Sequence, residues 1–365
     1  MNSKKIVMLM SGGVDSSVAA YLLKKEGYSV IGLHYKMVDD HIFDLIPEKK
    51  KVCCSPSDTL DALKVSNDIG LDDFKVIKIK DEFDEKIIKY FVNEYKNGIT
   101  PNPCVLCNRF FKFGHAFEYA KEIGASYVAS GHYVVSEFSE DYGMHVIKKG
   151  VDNYKDQSYF LSQIKKEYLP NMYFPLGKLK KEEIRKIAEE IGLSVAKKPD
   201  SQELCFIPDN DYKRFLRDRG VAATEGNVVD TEGNVIGTHT GYINYTIGQR
   251  AGLTYFKAIH QKLHVYRIIP GRNEIVVAPT EMLYSDTLTA GNLNILTDFE
   301  NGKEIRCRIR KKSEEEKAVI NIKNNKAEIK FLKKIFAITP GQFAVFYDEN
   351  GVVLGSGTIL KNPED

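Results

Sequence analysis

Residues 6–17, Ile-Val-Met-Leu-Met-Ser-Gly-Gly-Val-Asp-Ser-Ser, constrain this chain more than any other stretch. The apolar run Ile6 to Met10 has the length of a buried strand. It breaks at Ser11-Gly12-Gly13, and an amphipathic helix follows with Val18, Ala19, Leu22 and Leu23 on its buried side. Glycines let a backbone approach an anion closely, and the N–H groups of a helix start point at it with the helix dipole behind them. The hydroxyls of Ser11, Ser16 and Ser17 add donors. No Gly-Lys-Ser/Thr follows, so this is not a Walker A loop.

The first half continues as strand and helix in alternation. Strands are expected over 28–35, 74–79 and 126–130. Helices are expected over 58–70 (Leu60, Leu63 and Ile69 inward), 82–96 (Phe83, Ile87, Phe91, Tyr95), 109–123 and 178–192. Such alternation implies a doubly wound parallel α/β sheet, with ligands at the carboxyl ends of its strands. The opening loop and Ser130-Gly131-His132 both fall at such ends. After about residue 208 the texture changes. A short helix at 212–219 gives way to hairpins turning at Glu232-Gly233-Asn234, Pro270 to Asn273, Asn324-Asn325 and Asp348 to Gly351. Evenly spaced short strands beyond 282 suggest a small closed barrel. The expected domains are 1–208, a small mixed α+β region over 209–281, and a β-barrel over 282–365. Residues 39–52 read as a loop.

A chain of 365 residues exceeds what one core usually holds, which agrees with several domains. No window approaches the roughly 20 apolar residues of a membrane span. Residues 1–5 are too short for a signal peptide, so a cytosolic, membrane-free protein is expected. A net charge of +2 argues against a generic polyanion binder, though not against a local basic face. Six cysteines in a reducing compartment point to catalysis or metal binding rather than to a disulfide framework. Cys104 and Cys107 lie in Thr100-Pro101-Asn102-Pro103-Cys104-Val105-Leu106-Cys107-Asn108-Arg109. Here the two prolines predict an extended loop, with a helix starting near Asn108. A thiol at a helix N-terminus should have a lowered pKa, and Arg109 would help. Cys205 also sits in a loop, downstream of Lys197 and Lys198. Cys307 alternates with basic residues on a strand and reads as structural. Cys53 and Cys54 carry no clear role.

Residues Ser11 to Ser17 resemble the PP-loop (SGGxDS) of ATP pyrophosphatases, which cut ATP between the α and β phosphates and adenylate a substrate oxygen. Nearly the whole chain resembles the tRNA-specific 2-thiouridylases, which place sulfur on C2 of the wobble uridine. The resemblance is carried by the PP-loop, Thr100 to Pro103 with Cys107-Asn108, and Gly131-His132-Tyr133. It extends to Lys155 to Leu161, Asp200-Ser201 with Cys205-Phe206, Thr246 to Arg250, and Thr339 to Gln342. It implies that ATP with Mg²⁺ adenylates the uracil oxygen, a poor leaving group, and that AMP departs later. By the same resemblance Cys205 carries a persulfide, delivered by a cysteine desulfurase or a sulfur-relay carrier, and Cys107 is the nucleophile that attacks it, with a transient disulfide as one outcome. Leu9, Met10, Ser11, Gly12, Gly13, Val14, Asp15, Ser16, Ser17, Tyr35 and Gly131 then match nucleotide-contacting positions, with Asp15 a Mg²⁺ ligand. Asn102, Pro103 and Cys104 match the base-contacting stretch. Lys155, Asp156, Gln157, Arg310 and Lys311 match tRNA contacts. The implied protein is a cytoplasmic monomer that binds tRNA.

Two departures stand out. Many members of the family carry Asp where this chain has Cys104, so the loop becomes Cys-x-x-Cys. Cys104, Cys107 and Cys205 could then hold a [4Fe-4S] cluster with one iron open to sulfide. Tyr35 stands where Met is usual, which should change packing rather than chemistry. Three other readings stay open on the residues alone: a PP-loop amide ligase, which would not need the cysteines; an RNA-binding adaptor that retains a nucleotide loop; and a zinc-binding structural module on Cys104 and Cys107.

Overall fold

The computed structural model describes residues 4–37, 56–200, 204–207, 209–257 and 261–361. Cys53, Cys54, Ser201 and the whole of the loop expected over 39–52 lie outside them. The chain forms two compact units: residues 1–86, 104–211 and 350–353 in the first, and 87–103, 212–349 and 354–365 in the second.

The first unit is built on Lys5–Leu9 (β1), Val14–Lys25 (α1), Ser29–Lys36 (β2), Pro56–Ile69 (α2) and Asp73–Lys78 (β3). Lys80–Phe83 (α3) then runs through a π-helical stretch, Asp84–Ile88, into Lys89–Lys96 (α4), which belongs to the second unit. Pro103–Cys107 (α5) leads through a second π-helical stretch, Asn108–His115, into Ala116–Glu122 (α6) and Tyr127–Ser130 (β4). The hairpin Val134–Ser139 (β5) and Met144–Lys149 (β6), which the sequence pattern does not announce, is followed by Ser158–Leu161 (α7), Met172–Tyr173 (β7) and Lys181–Glu190 (α8). The sheet is parallel, with order β3-β2-β1-β4-β7, so β1 is central. Helices on both faces explain why β1 reads as a continuous apolar run: Ile6, Val7 and Met8 are wholly buried.

Two elements differ from expectation. Leu60 and Leu63 of α2 are 66% and 42% exposed, and the inward face is instead Asp58, Ala62, Val65 and Ser66. The helix is rotated so that the Asp58 carboxylate meets the Lys198 ammonium at 2.5 Å. The helix after Thr100 starts at Pro103 rather than near Asn108, because proline fits the first helical position, where its missing N–H is not needed.

The second unit combines α4 and Tyr212–Asp218 (α9) with a mixed sheet and a barrel. Phe91 and Tyr95 of α4 pack on Phe215 and Tyr212 of α9, with ring centroids 6.1 and 5.2 Å apart. The sheet uses Gly226–Val229 (β8), Val235–His239 (β9), Thr254–Tyr255 (β10), Leu263–Ile269 (β11) and Glu274–Pro279 (β12), in the order β10-β9-β8-β12-β11. Its core gathers Val228, Val265, Ile275 and Val277. The barrel closes Tyr284–Ile295 (β13), Lys303–Arg308 (β14), Glu316–Lys323 (β15), Lys326–Phe336 (β16), Phe343–Tyr347 (β17) and Val353–Ile359 (β18) in the order β13-β16-β15-β14-β17-β18. Asn324 and Asn325, at φ 51° and 57°, make the tight turn between β15 and β16.

Candidate active site

The loop between β1 and α1 is shaped by its own short side chains. Ser16 and Ser17 hydroxyls donate to the Gly13 carbonyl at 3.1 and 2.8 Å, and the Ser11 N–H donates to Ser16 Oγ at 3.2 Å. Gly13 is the N-cap of α1 and offers no side-chain cap, so the first-turn N–H groups of a 12-residue helix are left for an anion. Gly12 holds φ +73°, and a Cβ there would lie 2.3 Å from the Asp58 carbonyl oxygen. A Cβ on Gly131 would lie 2.8 Å from the Ser16 nitrogen, so that glycine is what lets the end of β4 approach the start of α1. Leu9, Met10 and Val14 are buried around the loop, Ser11 is exposed, and Asp15 lies at the first turn.

Both Asp15 oxygens are engaged. The Tyr133 hydroxyl donates to Oδ1 at 2.6 Å, and Lys181 Nζ reaches Oδ1 and Oδ2 at 2.8 and 2.9 Å. Burial, and then Asp15 itself, push the Tyr133 hydroxyl far above the ordinary tyrosine value, so it stays a proton donor. Lys181 also pairs with Asp200 at 2.7 Å. Burial alone would raise Asp200, but Lys155 and Lys181 outweigh it and hold the carboxyl below its usual value. His34, unnoticed in the sequence, joins the sheet to α2: Nδ1 donates to the Met10 carbonyl at 2.7 Å, and Nε2 accepts from the Thr59 hydroxyl at 3.0 Å. Its signal in the sequence was a lone histidine inside an apolar strand, where a ring needs partners at both nitrogens.

The cysteine segments meet on one aromatic ring. Phe83 packs on Phe111, one turn beyond Cys107, with centroids 5.6 Å apart, and on Phe206, next to Cys205, at 5.9 Å. Cys104, Cys107, Cys205 and Cys307 carry no disulfide. Cys107 is the last residue of α5, not a helix start, and it is buried. Desolvation therefore overrides any dipole, and the thiol is pushed up to about 12 rather than lowered. Arg109 is not turned to it but donates to Gln163 Oε1 at 2.8 Å. Cys104 and Cys205 are half-buried, and Cys307 is buried in the barrel wall. Among the described residues no group of three or more His, Cys, Asp or Glu side chains is gathered as a metal ion would need.

Tyr35 is buried, with its ring edge-on to His115 at 6.4 Å, and among the described residues its hydroxyl has no hydrogen-bond partner. Asn108 anchors the turn after Cys107, donating from Nδ2 to the Cys104 and Phe160 carbonyls at 3.0 and 3.3 Å. Of the segment 155–157, Lys155 pairs with Asp200 at 2.8 Å and Gln157 accepts from the Tyr133 N–H at 3.0 Å. Asp156 is wholly buried and accepts from the Gly150 and Ser158 N–H groups at 3.2 and 3.1 Å.

In the second unit, Thr100 and Pro101, which precede half-buried Asn102 and buried Pro103, accept from Gln342 Nε2 at 2.9 and 3.2 Å. Thr246 lies 3.4 Å from the Thr100 hydroxyl, so three separate signature segments converge there. The basic run in the barrel is largely satisfied internally. Arg306 pairs with Glu349, Arg308 with Glu315, and Arg310 donates to the Ala337 carbonyl and the Thr339 hydroxyl, with Lys311 beside it in the turn. Among the described residues no helix is long and apolar enough to cross a membrane.

Three domain families match the chain: the tRNA methyl transferase HUP domain over residues 4–209, the tRNA methyl transferase PRC-barrel domain over 213–279, and the aminomethyltransferase β-barrel domain over 285–359. Over 362 residues the chain is 62% identical to the tRNA-specific 2-thiouridylase MnmA of Petrotoga mobilis, covering 98% of each chain. It is 46% identical to the MnmA of Thermotoga neapolitana, covering 98% of this chain and 99% of that one. A 4-thiouridine synthetase in complex with RNA and ATP aligns at 19% identity and a TM-score of 0.37, over 59% of this chain and 50% of that one, too distant to carry an argument.

Proposed function

The chain belongs to the tRNA-specific 2-thiouridylase family, enzymes that thiolate tRNA at the expense of ATP, and within that activity we propose the following division of labour among its residues. The uncapped start of α1 and the loop Ser11 to Ser17 bind the phosphates of ATP, with Met10, Tyr35 and Gly131 bordering the nucleotide. Asp15 would hold the accompanying Mg²⁺, which would supply charge neutralisation to the phosphates. The uracil O2 attacks the α-phosphorus, the bond to the β-phosphate breaks, and pyrophosphate and the N3 proton leave. The C2 carbon then carries AMP, a far better leaving group than oxide.

Sulfur enters as the outer atom of a persulfide on Cys205, loaded by a sulfur-donor protein. Cys107 attacks the inner sulfur and its thiol proton is released. A Cys107–Cys205 disulfide forms, and the outer sulfur departs as sulfide to replace AMP at C2. A cellular thiol reductant restores both cysteines. Cys107 needs its proton removed before it attacks, since burial keeps it a thiol in the ligand-free protein. Asn102, Pro103 and Cys104 face the target base, and Lys155, Gln157, Arg310 and Lys311 border the tRNA. The buried Asp156 serves by shaping its turn. We place this reaction in the cytosol, in a single chain whose modules are residues 1–208, 209–281 and 282–365.

The observation that supports the reading best is the presence, within one compact unit, of the uncapped phosphate loop and of both cysteine segments meeting at Phe83. The test is reconstitution with tRNA, Mg·ATP and a persulfide donor, followed by mass spectrometry of the wobble nucleoside. Cys205→Ser should lose 2-thiouridine yet still release pyrophosphate in the presence of tRNA, whereas Asp15→Ala should lose both. Thiolation that survives Cys205→Ser would overturn the persulfide route, and activity that tracks bound iron would favour a cluster.

A further inference from the structure

The segment 196–200, which leads toward Cys205, is tied to the phosphate loop from two sides. Lys198 donates to the Gly12 carbonyl at 2.8 Å while pairing with Asp58 and Asp61 at 2.5 and 2.6 Å. On the other side, Lys181 Nζ stands between Asp15 of the loop and Asp200 of the segment, at 2.8 and 2.7 Å. The Lys181 side chain is only 11% exposed, and its position is set by the helix it begins. Its N–H donates to Asp152 Oδ2 at 3.0 Å, and Ile184 and Ala188 of the same helix are buried in the core that holds Val14 and Val18 of α1. One turn further on, Arg185 donates to Asp200 at 2.9 Å and to the Ala196 carbonyl at 2.8 Å.

Around the carboxylates of Asp15 and Asp200 therefore stand the cations of Lys155, Lys181 and Arg185, with Asp152 against the Lys181 backbone, so the cluster is balanced in charge and lies beside an uncapped helix start. A triphosphate arriving with a divalent cation brings both partners that an exchange needs. Lys181 would turn to a phosphate oxygen and Asp15 to the cation, so neither charged group is left unpaired. Asp200 keeps hold of Lys181 throughout. We propose that Lys181 is a nucleotide-binding residue that trades Asp15 for a phosphate oxygen of ATP, and that Asp200 is the positioning residue that holds its ammonium in place. The exchange makes nucleotide occupancy perceptible at Asp200 and hence in the chain that carries Cys205. This rests on the reading of Ser11 to Ser17 as the ATP phosphate loop.

The experiment uses the full chain, the α,β-methylene analogue of ATP with Mg²⁺, calorimetric binding, and alkylation of Cys205 by iodoacetamide read by mass spectrometry. Lys181→Met should weaken binding about tenfold or more, the loss of one charged hydrogen bond to phosphate, while Lys181→Arg retains most of it. Nucleotide should change the Cys205 alkylation rate in the wild-type protein, and Asp200→Asn should abolish that change even at saturating nucleotide. Equal binding by wild type and Lys181→Met overturns the proposal and leaves the loop reading standing. Binding by neither wild type nor variants refutes the loop reading itself. Should Lys181→Met not fold, the wild-type and Asp200→Asn alkylation pair decides alone, an identical nucleotide response in the two overturning the role of Asp200.

Discussion

In the sulfur step proposed above, burial of the Cys107 thiol decides how attack can begin. With its pKa pushed up to about 12, the group is an unreactive thiol at neutral pH. In the ligand-free protein, iodoacetamide should therefore label Cys205 well ahead of Cys107, and comparable labelling rates would refute a protonated, buried Cys107. His34 and His132 are held below the ordinary histidine value by burial. The unfolded chain consequently binds more protons than the folded one once pH drops below about 6.5. Stability present above that pH is lost as pH falls toward the depressed folded values, so melting temperatures should decline between pH 7 and 5.5, less steeply in His34→Gln. Gly12→Ala would set a Cβ against the Asp58 carbonyl at a positive φ, and should cost at least about 1 kcal/mol of stability together with most of the nucleotide affinity, read by denaturation and calorimetry. Gly12 and Asp15 were evident in the sequence as a loop pattern. The partners of Asp15 were not, because Tyr133 and Lys181 lie 118 and 166 residues away.

Among the elements, α2 buries the smaller apolar stripe of Ala62, Val65 and Ile69 together with an ion pair, and leaves its two leucines outside. Leu60 and Leu63 make the more apolar stripe, yet the helix turns Asp58 inward, where its side chain is 6% exposed and the Lys198 side chain 11%. Removing one partner of such a pair is far more costly than removing both. Lys198→Met should destabilise the protein by about 3 kcal/mol or more, and adding Asp58→Asn should recover part of it; a loss below about 1 kcal/mol would mean that packing alone sets the rotation of α2. The early start of α5 has a similar lesson. Pro101 and Pro103 read alike in the sequence, but Pro103 occupies the first helical position and places Cys107 at the far end of its turn. The hairpins were legible because their turn residues carry the geometry themselves, as Asn324 and Asn325 do. The β5–β6 hairpin was missed because Glu140 to Gly143 lacks a comparably strong turn pair.

At the scale of the whole molecule, nearly neutral charge and internally paired arginines bear on how tRNA is held. Arg306, Arg308 and Arg310 are each paired within the barrel, so these three must leave their partners before they can displace counterions. The logarithm of tRNA affinity should fall with the logarithm of salt concentration, but with a slope of only a few charges; a slope near ten would mean that the paired arginines open to phosphate. Fold class, the β-barrel, the phosphate loop and the two cysteine segments were all determined by the sequence, because each is written in contiguous residues: an apolar run, a glycine turn, a repeat of short strands. Tertiary structure alone decided which cations Asp15 and Asp200 share, which face of α2 is buried, and that the Cys107 thiol sits in a medium that keeps its proton. Those outcomes depend on desolvation and on pairings between distant segments, which exist only once the chain has closed around them.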